Sequence, residues 1–101
     1  MEIPAGVRAL LWEYSVDEAP SGEGWENAVI ERVMQRGCWN DMLWLWRSFH
    51  RRRLRGFLER RGRRVLPPRE LRFWAAICDV PGDEQDVWVR DARARERAWR
   101  G

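Results

Sequence analysis

Residues 25–37 read Trp-Glu-Asn-Ala-Val-Ile-Glu-Arg-Val-Met-Gln-Arg-Gly. Apolar side chains fall at Trp25, Ala28, Val29 and Val33, the spacing that puts them on one face of an α-helix, and Ile30 and Met34 widen the stripe. Gly37 follows as a left-handed C-terminal stop. The same period continues outward. Asn40 or Asp41 can cap a second helix, in which Met42, Leu45, Trp46 and Phe49 form one buried face while Leu43 and Trp44 lie off it. A third helix runs from about His50 to Arg61, with Leu54, Phe57 and Leu58 inward and Gly62 as its end.

Beyond the rigid Val65-Leu66-Pro67-Pro68 linker, a proline in the first turn suits a fourth helix carrying Leu71, Trp74, Ala75 and Cys78, with Phe73 and Ile77 beside them. Val80-Pro81-Gly82 closes it. The last helix, about Glu84 to Arg100, has Trp88, Ala92, Arg95 and Trp99 on one thin stripe among charged positions, so it packs weakly on its own domain and needs a partner. Before residue 25 the chain reads as an arm: an apolar stretch through Val7, Ala9, Leu10, Leu11 and Trp12, then an acidic Pro/Gly-rich loop at Asp17–Gly22. No segment sustains strand alternation. The expected fold is all-α, a compact bundle of about five short helices with an N-terminal arm. It forms one domain over 1–101, divided into an arm and loop (1–24), core helices (25–82) and a partner-facing C-terminal helix (83–101).

Eight of the 101 residues are Trp, against one His, two Cys and no Lys. Contact surface is abundant and acid–base groups are scarce, which favours binding over catalysis, because Trp and Arg dominate interface hot spots. His50 has no Cys, carboxylate or Ser motif around it, so the chain is read as a non-enzyme. The glycines do not form a phosphate loop, and Asp83, Glu84 and Asp86 complement a helix dipole rather than supplying an EF-hand ligand series. Cys38 and Cys78 lack metal-ligand spacing and read as free buried thiols. No metal or cofactor is implied. With no apolar run of about 20 residues and no leader pattern at the N-terminus, the expectation is a cytoplasmic protein without membrane contact.

All 19 basic residues are Arg. Residues 1–46 carry 3 Arg and 8 acids, 47–72 carry 11 Arg and 2 acids, and 73–101 carry 5 Arg and 6 acids. The plainest reading of the basic middle is a solvated helix face, and two binding readings stand beside it. Arg51, Arg52 and Arg55 could meet nucleic-acid phosphates, giving an autoregulatory role through segment 47–72, or the same field could meet an acidic protein surface. Among the tryptophans, Trp25, Trp46 and Trp74 fall on main apolar faces and read as core. Trp39, Trp44, Trp88 and Trp99 exceed what one small core needs, and Trp12 suits either role. The candidate partner-binding residues are Trp44, Trp88, Trp99, Arg51, Arg55 and Arg95.

The order Leu11-Trp12 with Val16-Asp17, then Trp25, Val29-Ile30-Glu31-Arg32-Val33, Gly37, Asp41 and Leu45, and later Leu66, Phe73-Trp74 and Val80-Pro81, resembles a family of small bacterial proteins. The members of that family look like partners encoded beside abortive-infection-type nucleotidyltransferase toxins. The match covers residues 11–82, with Ile30–Gly37 its strongest piece. The resemblance implies an antitoxin that occludes its toxin stoichiometrically, and it carries no catalytic residue over. This chain departs from the pattern in the Arg run at 51–64, and the residues after 82 lie outside it.

Overall fold

The computed structural model describes residues 4–10 and 23–100. Leu11, Trp12, Val16 and the acidic loop at Asp17–Gly22 lie outside the described residues. Every element among those described is helical, in the order α1 (Ala5–Leu10), α2 (Glu23–Arg36), α3 (Trp39–Ser48), α4 (Arg51–Phe57), a π-helical turn (Leu58–Gly62), α5 (Arg63–Val65), α6 (Pro68–Ile77) and α7 (Gly82–Arg100). The protein is all-α. Part of the expected arm is helical, since α1 buries Val7 and packs on α2. The chain divides into two units, residues 1–49 and 50–101.

In the first unit α2 packs against both α1 and α3. Its buried stripe is Val29, Ile30, Val33 and Met34. Trp25 and Ala28 are only half-buried, so the core face is rotated toward Ile30 and Met34 and Trp25 is not the core residue expected. Gly37 is not in the left-handed region. Its reason is close approach, because a Cβ there would lie 2.6 Å from the Val33 carbonyl oxygen and 3.2 Å from Asp41 Cβ. The cap of α3 is Cys38 rather than Asn40 or Asp41. Asp41 serves three residues later, its Oδ2 accepting from the Cys38 backbone N–H at 3.1 Å and from Cys38 Sγ at 3.3 Å. Holding an otherwise unpaired helix-terminal N–H explains why this carboxylate tolerates burial. Cys38 is a free thiol as expected, but it is exposed.

The second unit begins with His50, whose Nδ1 accepts from the Arg52 backbone N–H at 3.1 Å and so caps α4. Leu54, Phe57 and Leu58 point inward as the spacing predicts. Gly62, expected as a stop, has right-handed helical angles of φ −54° and ψ −42°, and the helical path continues through the π turn to Val65. It is a packing glycine: a Cβ would meet Leu58 Cδ2 at 2.8 Å and Phe57 Cε1 at 3.3 Å.

Pro67 and Pro68 open α6, which buries Leu71, Trp74, Ala75 and Cys78. Its end is a Schellman arrangement. Asp79 takes the left-handed position with φ 61°, its N–H donating to Ala76 O, while Val80 N–H donates to Ala75 O. Helix α7 is firmly held, contrary to the weak packing expected of it. It lies along α6 and contacts α5, burying Trp88, Val89 and Ala92.

Candidate interaction surfaces

Arginines are long enough to reach backbone carbonyls and carboxylates several turns away, so each must be followed to its partner before it is assigned to a ligand. Arg51 pairs with the Asp79 carboxylate. Arg55 donates from Nε to Glu59 Oε1 at 3.0 Å and from a terminal nitrogen to the Asp79 carbonyl at 3.4 Å. Both therefore brace the left-handed turn after α6. Arg95 reaches back from α7 to the end of α5, donating to Arg63 O at 2.9 Å and Leu66 O at 3.3 Å. It satisfies carbonyls that a helix terminus leaves unpaired.

The tryptophans separate just as sharply. Trp88 is 5% exposed, which overturns its reading as an exposed anchor. It sits beneath Arg63, whose guanidinium carbon lies 5.9 Å from the ring centroid. Trp44 is half-buried and meets Phe49 edge-to-face at 6.3 Å. Trp74 is core as expected. Trp99 is 91% exposed. It continues the phase of Trp88 and Ala92 two turns past the point where burial on α7 ends.

A second aromatic surface lies on α3. Trp46, expected in the core, is 37% exposed, and Trp39 is 62% exposed. With half-buried Met42 and Leu43 they stand at i, i+3, i+4 and i+7, a stripe of their own. The buried face holds Asp41 and Leu45 instead. Six of the ten α3 residues are apolar, so periodicity alone fits both faces. The signal available in the sequence was Asp41: a capping carboxylate at the third helical position anchors the phase and puts Leu45, one turn later, on the inner side.

The second unit carries two open grooves beside α7. One, of about 770 Å³, is lined by Arg55, Glu59, Arg60, Arg63, Asp83, Glu84, Val87 and Trp88. Its three Arg face three acids. The other, of about 420 Å³, is lined by Arg72, Asp86, Val89, Arg90, Arg93 and Arg97. Its single acid is already engaged, Arg72 meeting Asp86 Oδ1 at 3.0 Å. Among the described residues no group of three or more His, Cys, Asp or Glu is placed to hold a metal, and no helix is long and apolar enough to cross a membrane.

Fold and surfaces together define an all-α chain that presents aromatic side chains on one helix of its first unit and, along the last helix of its second, basic ones without a partner among the described residues. No family model, curated protein or solved structure matches it.

Proposed function

We propose that this chain is a non-catalytic protein-binding module of the antitoxin kind, with the α3 stripe of Trp39, Leu43 and Trp46 as its principal anchor. The observation that carries the reading is the exposure of Trp39 and Trp46 on one face of a helix whose opposite face is already buried. Helix-in-groove recognition uses anchors at this spacing, and desolvating an indole in a partner pocket is among the largest contributions a single side chain makes to an interface. Trp99 offers a further anchor. Arg51, Arg55 and Arg95 leave the list of contacts, since their donors serve the fold.

The sequence resemblance supplies the partner: a nucleotidyltransferase-type toxin in the cytoplasm, held inactive by occlusion of its cleft. Titration of that toxin with purified protein should give saturable inhibition at a fixed stoichiometry. Trp39→Ala and Trp46→Ala should each weaken binding by about 30-fold, the size of a hot-spot truncation of 2 kcal/mol, with the melting temperature nearly unchanged for Trp39→Ala and lowered for Trp46→Ala, whose indole is more than half covered. Full inhibition by the Trp39→Ala/Trp46→Ala double variant would remove the stripe from the interface. Absence of any complex, with no loss of toxicity on co-expression, would remove the antitoxin reading itself.

A further inference from the structure

The segment densest in arginine keeps four whose side chains have no partner among the described residues, Arg47, Arg52, Arg64 and Arg69, and they stand on four different helices, α3, α4, α5 and α6. Between residues 47 and 72, Arg51 is paired with Asp79, Arg55 with Glu59, Arg63 covers Trp88, and Arg72 is paired with Asp86. In contrast, Arg90, Arg93 and Arg97 on α7 have no hydrogen-bond or ion-pair partner among the described residues, and they share one groove. Their spacing of three and four residues sets them in a row along one side of the helix. At a rise of 1.5 Å per residue the row is about 10.5 Å long.

We infer that this row is a binding site for the phosphate backbone of duplex nucleic acid. One strand of a duplex places a phosphate about every 3.4 Å along its axis, so the row passes about three of them. Guanidinium forks match phosphate oxygens in pairs, and the net field of the groove is positive because its one carboxylate is spent on Arg72.

Two features favour nucleic acid over an acidic protein. The groove lining carries no exposed large apolar side chain, Val89 being buried, so it lacks the desolvated centre on which protein interfaces depend. Exposed ion pairs with a protein give little affinity, whereas contacts to a polyanion gain from the release of condensed counterions. The lining also holds no aromatic ring on which single-stranded bases could stack, which points to the duplex. With contacts confined to phosphates, binding is without sequence preference.

The test uses the full chain with labelled 20-base-pair DNA and RNA duplexes, read by fluorescence anisotropy from 50 to 200 mM salt. Three contacts predict a log–log salt slope near −2.7, or about 40-fold weaker binding across that range. The triple variant R90A/R93A/R97A should bring the slope close to zero with its helical circular dichroism retained. R90K/R93K/R97K should keep most of it. The charge-matched control R52A/R64A/R69A removes as many exposed arginines from the middle segment and should leave most of the slope.

Equal loss in the control would show that only net charge acts, and would overturn the site. So would an unchanged slope in R90A/R93A/R97A. Binding to polyglutamate that depends on the three arginines, without duplex binding at 50 mM salt, would assign the row to an acidic protein instead. The DNA and RNA arms decide which duplex is preferred, and binding to either supports the site.

Discussion

Two glycines six residues apart should respond to the same substitution with opposite signs. Gly56 lies within α4, and a Cβ added there meets nothing within 4 Å. Alanine at an unstrained helical position removes backbone freedom from the unfolded chain and exposes less of the peptide, a gain of about 0.8 kcal/mol. Gly62 has ordinary helical angles, so the same gain of about 0.8 kcal/mol is on offer. Against it stands a contact of 2.8 Å with Leu58 Cδ2 and 3.3 Å with Phe57 Cε1, with Leu66 Cδ1 behind at 3.5 Å.

All three neighbours are buried, at 0%, 2% and 1% exposure, so Leu58 cannot swing into solvent. Forcing a methyl into a filled core costs about 1–3 kcal/mol, leaving Gly62→Ala destabilised by about 1 kcal/mol. The two variants should therefore differ by about 2 kcal/mol. Urea unfolding followed at 222 nm measures both, with Gly56→Ala moving the midpoint up, Gly62→Ala moving it down, and the slope unchanged. If Gly62→Ala stabilises as much as Gly56→Ala, the π turn is not closed by packing around that glycine.

Arg95→Ala should lower stability by about 1 kcal/mol, since it leaves the Arg63 and Leu66 carbonyls without their charged donor, yet leave toxin binding unchanged in a titration at low temperature. Burial raises the Cys78 thiol from 9.0 to about 11, with Arg51 and Arg55 opposing and Asp79 adding to the shift. The unfolded chain thus gives up this proton first, so stability is constant below about pH 8 and declines between pH 9 and 11 by roughly 2–3 kcal/mol. Alkaline melts of wild type and Cys78→Ala should converge over that window. Under native conditions a thiol reagent should modify Cys38 and reach Cys78 only on unfolding.

How far the sequence disclosed this structure depends on how many competing faces each helix offers. In α2 the apolar positions are few and separated by charge, so the stripe through Val29 and Val33 is legible, with only a small rotation toward Ile30. In α6 Leu71, Trp74, Ala75 and Cys78 leave one choice of inner face, and it is the one observed. Helix α3 offers two, and the face through Met42, Leu45, Trp46 and Phe49 is as regular as the one through Trp39, Met42, Leu43 and Trp46. Neither is the buried face, which runs through Asp41, Leu45 and Phe49, and the capping carboxylate of Asp41 rather than apolar periodicity marks that phase. Gly62 is a similar case. A glycine after a charged helix has the pattern of a C-terminal stop, whereas its actual constraint comes from side chains one turn away on either side.

The same limit governs the arginines and tryptophans. A count registers every indole and guanidinium, whereas a surface can use only those left over after the fold has taken its share. Asp79 is 28 residues from Arg51, and Leu66 is 29 from Arg95, so neither partnership is visible to a window along the chain. Once these are removed, the middle-segment arginines left without a partner among the described residues are spread over four helices, whereas three on α7 share one groove. Burial separates the tryptophans in the same way, because α7 lies along α6 and closes over Trp88 while α3 leaves Trp39 62% and Trp46 37% exposed. Charge density in sequence is thus a poor guide to a binding face wherever acids and carbonyls distant in sequence are brought within reach, and pairing must be worked out before affinity is assigned.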